Sequence, residues 1–334
     1  MIATCFVYML LFAGMAVVLG AIGAVGTLVL QGEPMMREFI RAYFGTFNAI
    51  GVASTGYALM FFVRRTGRQV MSQLTTDLSI PAEHAFSFAR ELERATSWRV
   101  TNYISIPLTI IGSLALWWRG FPLAGFAKGY LAISAFSIYY VASNILSFYL
   151  FVILLFRYIE DRSGSRTQDR FKLQVSPGGL ELRTIDTFLV MSATMGVLTL
   201  YIGIRATLTA TFFDSVPFIR ELLLLPFVLY LPATLCYSFY PRYVLRHISE
   251  CDTLFSIEEF ERQIATSPPA DLKSSLELRK LLMDVKETML NDCRATPILG
   301  LKDAPSLTMS LIILIQVIVQ KDSVYANFVK SLFR

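Results

Sequence analysis

Along the last apolar run, PSLTMSLIILIQVIVQ from Pro305 to Gln320, six residues recur at steps of three and four: Ser306, Ser310, Ile313, Gln316, Val317 and Gln320. On a helix they share one face. Hydroxyl and amide groups near its ends can solvate a passing ion, and Ile313 with Val317 between them can exclude water, which is the chemistry of a pore with a dewetting gate. These six are the candidate pore-lining residues. The same small and amide side chains also serve as interhelical glue when a helix packs among neighbours.

A second set of polar groups sits in an earlier apolar stretch, where Ser137, Tyr140, Asn144 and Ser147 form a stripe on one helical face. Hydroxyls and an amide are costly against lipid, so this stripe is expected to face the protein interior or water. Arg205 is the one ionised group well inside an apolar segment. It could act as an anion-attracting or gating charge, or snorkel to the surface or meet an interhelical partner.

Catalytic chemistry finds little support. His84 and His247 are the only histidines, they lie far apart in sequence, and no C-x-x-C spacing exists, so no metal or other cofactor is expected. The chain has no Walker loop, no G-x-G-x-x-G fingerprint and no G-x-S-x-G elbow. The apolar cores carry no Asp, Glu or His with which to run hydrolysis at membrane depth. The chain is read as no enzyme.

The elements that would position these groups are membrane helices. Of 334 residues, 54% are hydrophobic and only 16% charged, against about 25% charged in an ordinary soluble domain. Seven apolar segments stand out: about 2–30, 45–63, 101–118, 129–156, 187–211, 222–240 and 305–320. The first lacks a basic n-region and an A-x-A site, so it reads as a retained helix and not a signal peptide. Its Ala16, Gly20 and Ala24, four residues apart, permit close helix approach. Pro107, Pro226 and Pro232 are expected to kink their helices. The last segment spans only about 24 Å, short of the ~30 Å of hydrocarbon, and is more comfortable surrounded by protein.

Basic residues number six, six and nine in the loops after segments two, four and six, and two, two and one after segments one, three and five. The positive-inside rule then puts the N-terminus and the richer loops in the cytoplasm. In those loops Phe86, Ala89, Leu92 and Ala95 are read as the apolar stripe of an amphipathic helix. FKLQV-SPGG-LELR is read as a β-hairpin with strands near 171–175 and 180–183. Ser256 and Glu259 give a capping-box pattern for a short helix ending before Ser267. A longer helix should cover about 272–290, with Leu272, Leu276, Leu282, Val285 and Met289 on its apolar side.

The expected fold is therefore an all-α polytopic membrane protein with a small cytoplasmic layer of helices and one hairpin. Its organisation is a six-helix core over 1–240 with cytoplasmic loops 64–99 and 157–186, a cytoplasmic helical segment over 241–302, and a short seventh span with a tail over 303–334. The leading functional expectation is a homo-oligomeric channel, lined by the last helix and gated through the 241–302 segment by a cytoplasmic ligand or protein partner. The setting is the plasma (inner) membrane, the surrounding partner is the lipid bilayer, and nucleic acid is not expected. Seven spans with an inward N-terminus and a terminal pore helix are similar in plan to insect odorant-receptor channels, in topology alone. Two other expectations stand beside it: a carrier for a small uncharged or weakly polar solute held by the Asn144 stripe, and a scaffold or receptor signalling through its cytoplasmic layer.

Overall fold

A computed structural model describes residues 2–46, 49–119, 123–163, 171–173, 180–209, 217–266, 272–295 and 303–319. These residues are almost all helical. The first helix, α1 (Ile2–Gln31), is followed by α2 (Glu33–Ile40), a π-helical turn (Arg41–Thr46) and α3 (Ala49–Asp77). Next come a two-residue strand β1 (Leu78–Ser79), α4 (Ala82–Thr96), α5 (Trp98–Arg119) and α6 (Gly125–Ser163). Strand β2 (Lys172–Leu173), α7 (Leu180–Thr209), α8 (Pro217–Thr266), α9 (Leu272–Ala295) and α10 (Ala304–Val319) complete the order.

Among the described residues, three helical segments are long and apolar enough to cross a membrane: Ala3–Gln31, Gly125–Ser163 and Thr184–Ile202. They correspond to the first, fourth and fifth of the seven expected spans. The surface of α1 carries the same message. Phe6, Leu10, Val25 and Val29 are each at least 60% exposed, which leaves much of a helix that is apolar on nearly every side without protein cover. A helix apolar all round belongs in a core or in lipid.

The main core joins α3, α6, α7 and α8. Phe62, Phe148, Tyr149, Phe188 and Tyr237 fill its centre, each at most 1% exposed. Tyr149 and Tyr237 stack with ring centroids 4.1 Å apart. The Tyr149 hydroxyl donates to the Ser192 carbonyl at 2.7 Å, and the Ser192 and Tyr237 hydroxyls bond each other at 2.7 Å. Aromatic bulk thus fills the space while each of these polar tips finds a partner, as burial requires.

A smaller core lies where α1 meets α2 and the start of α6. Gly20 and Gly23 of α1 admit rings there: a Cβ on Gly20 would come within 2.6 Å of the Tyr43 ring, and one on Gly23 within 2.5 Å of Phe39. The close approach allowed by the small-residue stripe is therefore made by side-chain rings seated in the groove. Gln31 ties the other end, donating to the Ala124 carbonyl at 2.8 Å and accepting from the Ala127 amide at 2.9 Å. Gly125 between them has φ of 59°, a left-handed conformation that favours glycine.

Three local expectations are corrected. The 171–183 hairpin does not form as two neighbouring strands. Instead Leu173 and Lys172 pair antiparallel with Leu78 and Ser79, and residues 180–183 are the first turn of α7. Four residues of alternation in LELR lose to the longer helical repeat that follows, in which Ile185, Phe188, Leu189, Ser192 and Ala193 are all buried. Residues 174–179 lie outside the described residues.

The stripe on α4 is also placed differently. Phe88 and Ala95 are buried, Leu92 is partly buried, and Phe86 is 81% exposed. Steps of three residues turn back by about 60° each, so over nine residues the stripe runs to the opposite side of the helix. The 88–92–95 spacing stays on one side. Phe88 packs edge-on against Phe171, which also contacts His84 and Tyr158, so α4 docks onto β2 and α6.

Ser256 caps nothing. Its hydroxyl donates to the Asp252 carbonyl at 2.8 Å inside α8, which runs unbroken from Pro217 to Thr266. Between Arg242 and Thr266 the sequence contains neither glycine nor proline, and Val244, Ile248 and Ile257 keep a buried side. No helix end exists there for a cap to serve. On α9, Leu282 is buried while Val285 is 43% exposed; the side chains of Leu272, Leu276 and Met289 lie outside the described residues.

Candidate functional site

The expected stripe on α6 forms half of a polar seam. Asn144 and Ser147 are buried to 0% and 1%, with Tyr140 and Ser137 half-buried beside them. The other half comes from α5, where Thr101, Ser105 and Thr109 recur every four residues and are fully buried. The Ser105 and Ser147 hydroxyls lie 3.4 Å apart across the seam. Thr109, Ser105 and Ser147 each donate to the carbonyl four residues earlier, which satisfies them within their own helices.

One end of the seam is closed by α3. Arg64 donates through Nη2 to Asn144 Oδ1 at 2.6 Å and to the Thr101 hydroxyl, and through Nη1 to the Thr96 carbonyl at 3.4 Å. Asn102 Oδ1 accepts from Asn144 Nδ2 at 3.1 Å and from the Tyr140 hydroxyl at 2.8 Å. The Trp98 and Phe148 rings stand 5.0 and 5.8 Å from the guanidinium carbon. Five polar side chains from three helices thus converge on one cluster, buried at Arg64, Thr101 and Asn144 and half-buried at Asn102 and Tyr140.

By composition alone Arg64 is one of the six basic residues that follow the second apolar segment. Its phase sets it apart: Met60, Arg64, Gly67, Met71 and Leu74 follow one another at steps of four and three, and all are buried, whereas Arg65 and Arg68 fall out of phase and are exposed. The four-residue spacing of Thr101, Ser105 and Thr109 is likewise the signal in the sequence for the other half of the seam.

A second buried charge cluster sits at the N-terminus of α10. Arg242 of α8 bonds both carboxylate oxygens of Asp303 at 2.8 Å, and its Nε lies 2.8 Å from Asp186 of α7. Asp303 is 1% exposed.

From that anchor α10 packs along α7. Ser306, Ser310 and Ile313, the described members of the candidate pore face, are all below 5% exposed within the single chain. Ser306 donates to the Asp303 carbonyl at 2.9 Å and Ser310 to the Ser306 carbonyl at 2.7 Å. The outer side of α10 is apolar, with Leu311 58% and Ile315 50% exposed. Gln320 lies outside the described residues, as do the side chains of Gln316, Val317 and Arg205.

Among the described residues, no group of three or more His, Cys, Asp or Glu is arranged to hold a metal ion. Compared with protein-family models, curated proteins and solved structures, the chain matches none of them.

Proposed function

We propose that this chain is a multi-pass membrane carrier for a small polar solute, with its binding site in the Arg64–Thr101–Asn102–Tyr140–Asn144 cluster. The observation that carries this reading is the convergence of those five side chains from α3, α5 and α6 in one largely buried place. Polar groups held in an apolar setting mark solute pathways in membrane proteins, and there they satisfy one another until a substrate takes over some of the bonds. In this reading the chain has seven spans with the N-terminus inside and lies in the plasma (inner) membrane, α4 and the β1–β2 pair forming part of its cytoplasmic layer.

Counterflow in proteoliposomes tests the proposal. A panel of labelled small solutes should include at least one that saturates and exchanges across the bilayer, and Asn144→Ala should abolish that exchange while the protein stays folded. Flux that never saturates and shows no counterflow would remove the carrier.

A channel lined by α10 is the second reading, and the Arg242–Asp303 clamp favours it. That contact couples the long helix α8, which runs on into the 241–302 segment, to the start of the candidate pore helix. Because Ser306, Ser310 and Ile313 face α7, opening would require α10 to turn or leave that groove. Native mass spectrometry in mild detergent discriminates: a ring-compatible oligomer supports the shared pore, and a strict monomer removes it.

A further inference from the structure

Two arginines are buried among the described residues, and the chain treats them differently. Arg242 meets two carboxylates. Arg64, 8% exposed, meets the neutral oxygens of Thr96, Thr101 and Asn144 and no carboxylate among the described residues. Its Nε is inaccessible and has no acceptor among them. A guanidinium is always charged, and burying it without a counter-charge leaves its desolvation uncompensated.

We infer that Arg64 is the anion-recognition group of this cluster and that the solute it takes is a small organic acid bearing a carboxylate. The inference rests on the carrier reading for the identity of its ligand. A planar carboxylate presents two acceptors to the guanidinium fork, giving the idle Nε–H a partner and the cation its missing charge. Trp98 and Phe148 supply apolar surface beside the fork for a short hydrocarbon portion. Asn144 and Thr101, already bonded to Nη2, hold the guanidinium in place for that contact. A phospholipid headgroup offers the same oxyanion chemistry and is separated by the experiment.

Trp98 is a built-in reporter, 5.0 Å from the guanidinium carbon. In the full chain, Trp117→Phe and Trp118→Phe leave it as the single tryptophan. The protein, in phosphate-free maltoside detergent at fixed ionic strength, is titrated with acetate and with its neutral isostere acetamide. A saturable Trp98 emission change with acetate, about tenfold or more tighter than with acetamide, is expected. Arg64→Gln should weaken it at least about tenfold, and Arg64→Lys, which keeps the charge without the fork, by less.

An equal response to both compounds, or none to acetate, overturns the inference. That contrast needs no change at Arg64, so it decides the matter even where Arg64→Gln does not fold. A response to short-chain phosphatidylglycerol but not to acetate also overturns it, assigning the site to a lipid headgroup. Acetate binding without acetate counterflow upholds the anion site and removes the carrier reading. Acetamide counterflow without acetate binding does the reverse.

Discussion

Arg242 donates through Nη1 to both oxygens of Asp303, each at 2.8 Å, across 61 positions of sequence. Nothing local joins these residues; the contact exists because α8 and α10 both pack on α7. With side-chain exposures of 7% and 1%, the pair is dry, so removing either partner takes a close counter-charge from a desolvated group.

Asp303→Ala is therefore expected to destabilise the protein by at most about 3–5 kcal/mol, since Arg242 keeps its contact with Asp186, and the double change Arg242→Met with Asp303→Leu by clearly less. Denaturant unfolding of the two variants and the unaltered protein in detergent measures the difference. Ser310→Cys supplies an independent readout. Its side chain is shielded in the intact protein and should react with a maleimide only when Asp303 is also replaced.

The groove on α1 makes a paired prediction. A Cβ on Gly20 would press on the rings of Phe44 and Tyr43, whereas one on Gly14 has nothing within 4 Å. Gly20→Leu should cost about 1–3 kcal/mol by overpacking, and Gly14→Leu should be close to neutral. Thermal unfolding monitored by tyrosine absorbance separates them. Equal losses would mean that α1 does not seat these rings.

On α4 the two phenylalanines should behave oppositely. Phe88→Ala removes a fully buried ring from contact with Phe171 and should cost about 3–5 kcal/mol of that element's docking, seen as faster amide exchange across residues 82–96. Phe86→Ala, at 81% exposure, should leave exchange unchanged.

Ser256→Ala separates a cap from a mid-helix serine. Loss of a true N-cap would cost about 0.5–2 kcal/mol. Because Ser256 only back-bonds to Asp252 within a continuous helix, the substitution should be neutral or slightly stabilising by far-UV circular dichroism melting.

Much of the architecture was legible from local pattern. Apolar composition and run length gave the helical class and seven expected spans, of which three, in α1, α6 and α7, are long and apolar enough among the described residues to cross a membrane. The polar stripe through Asn144 could be read as turned inward, because a hydroxyl or amide facing lipid has no alternative partner. Where two periodicities competed over a few residues, as in LELR, or where a cap motif lay inside a longer helix, as at Ser256, local pattern failed. The outcome there depended on which side the neighbouring turns bury.

The partners of the charges belong to the tertiary structure alone. Helical spacing puts Arg64 in phase with Met60, Gly67 and Met71, but only the packing of α3 against α5 and α6 decides that it meets Thr101 and Asn144 and, among the described residues, no carboxylate. Likewise the face of Ser306, Ser310 and Ile313 follows from helical spacing, while its burial comes from the packing of α10 along α7, with Arg242 meeting Asp303 at the head of the helix. The physical reason is the same in both places. A side chain's direction is set by its own helix, but what it meets is set by helices dozens of residues away.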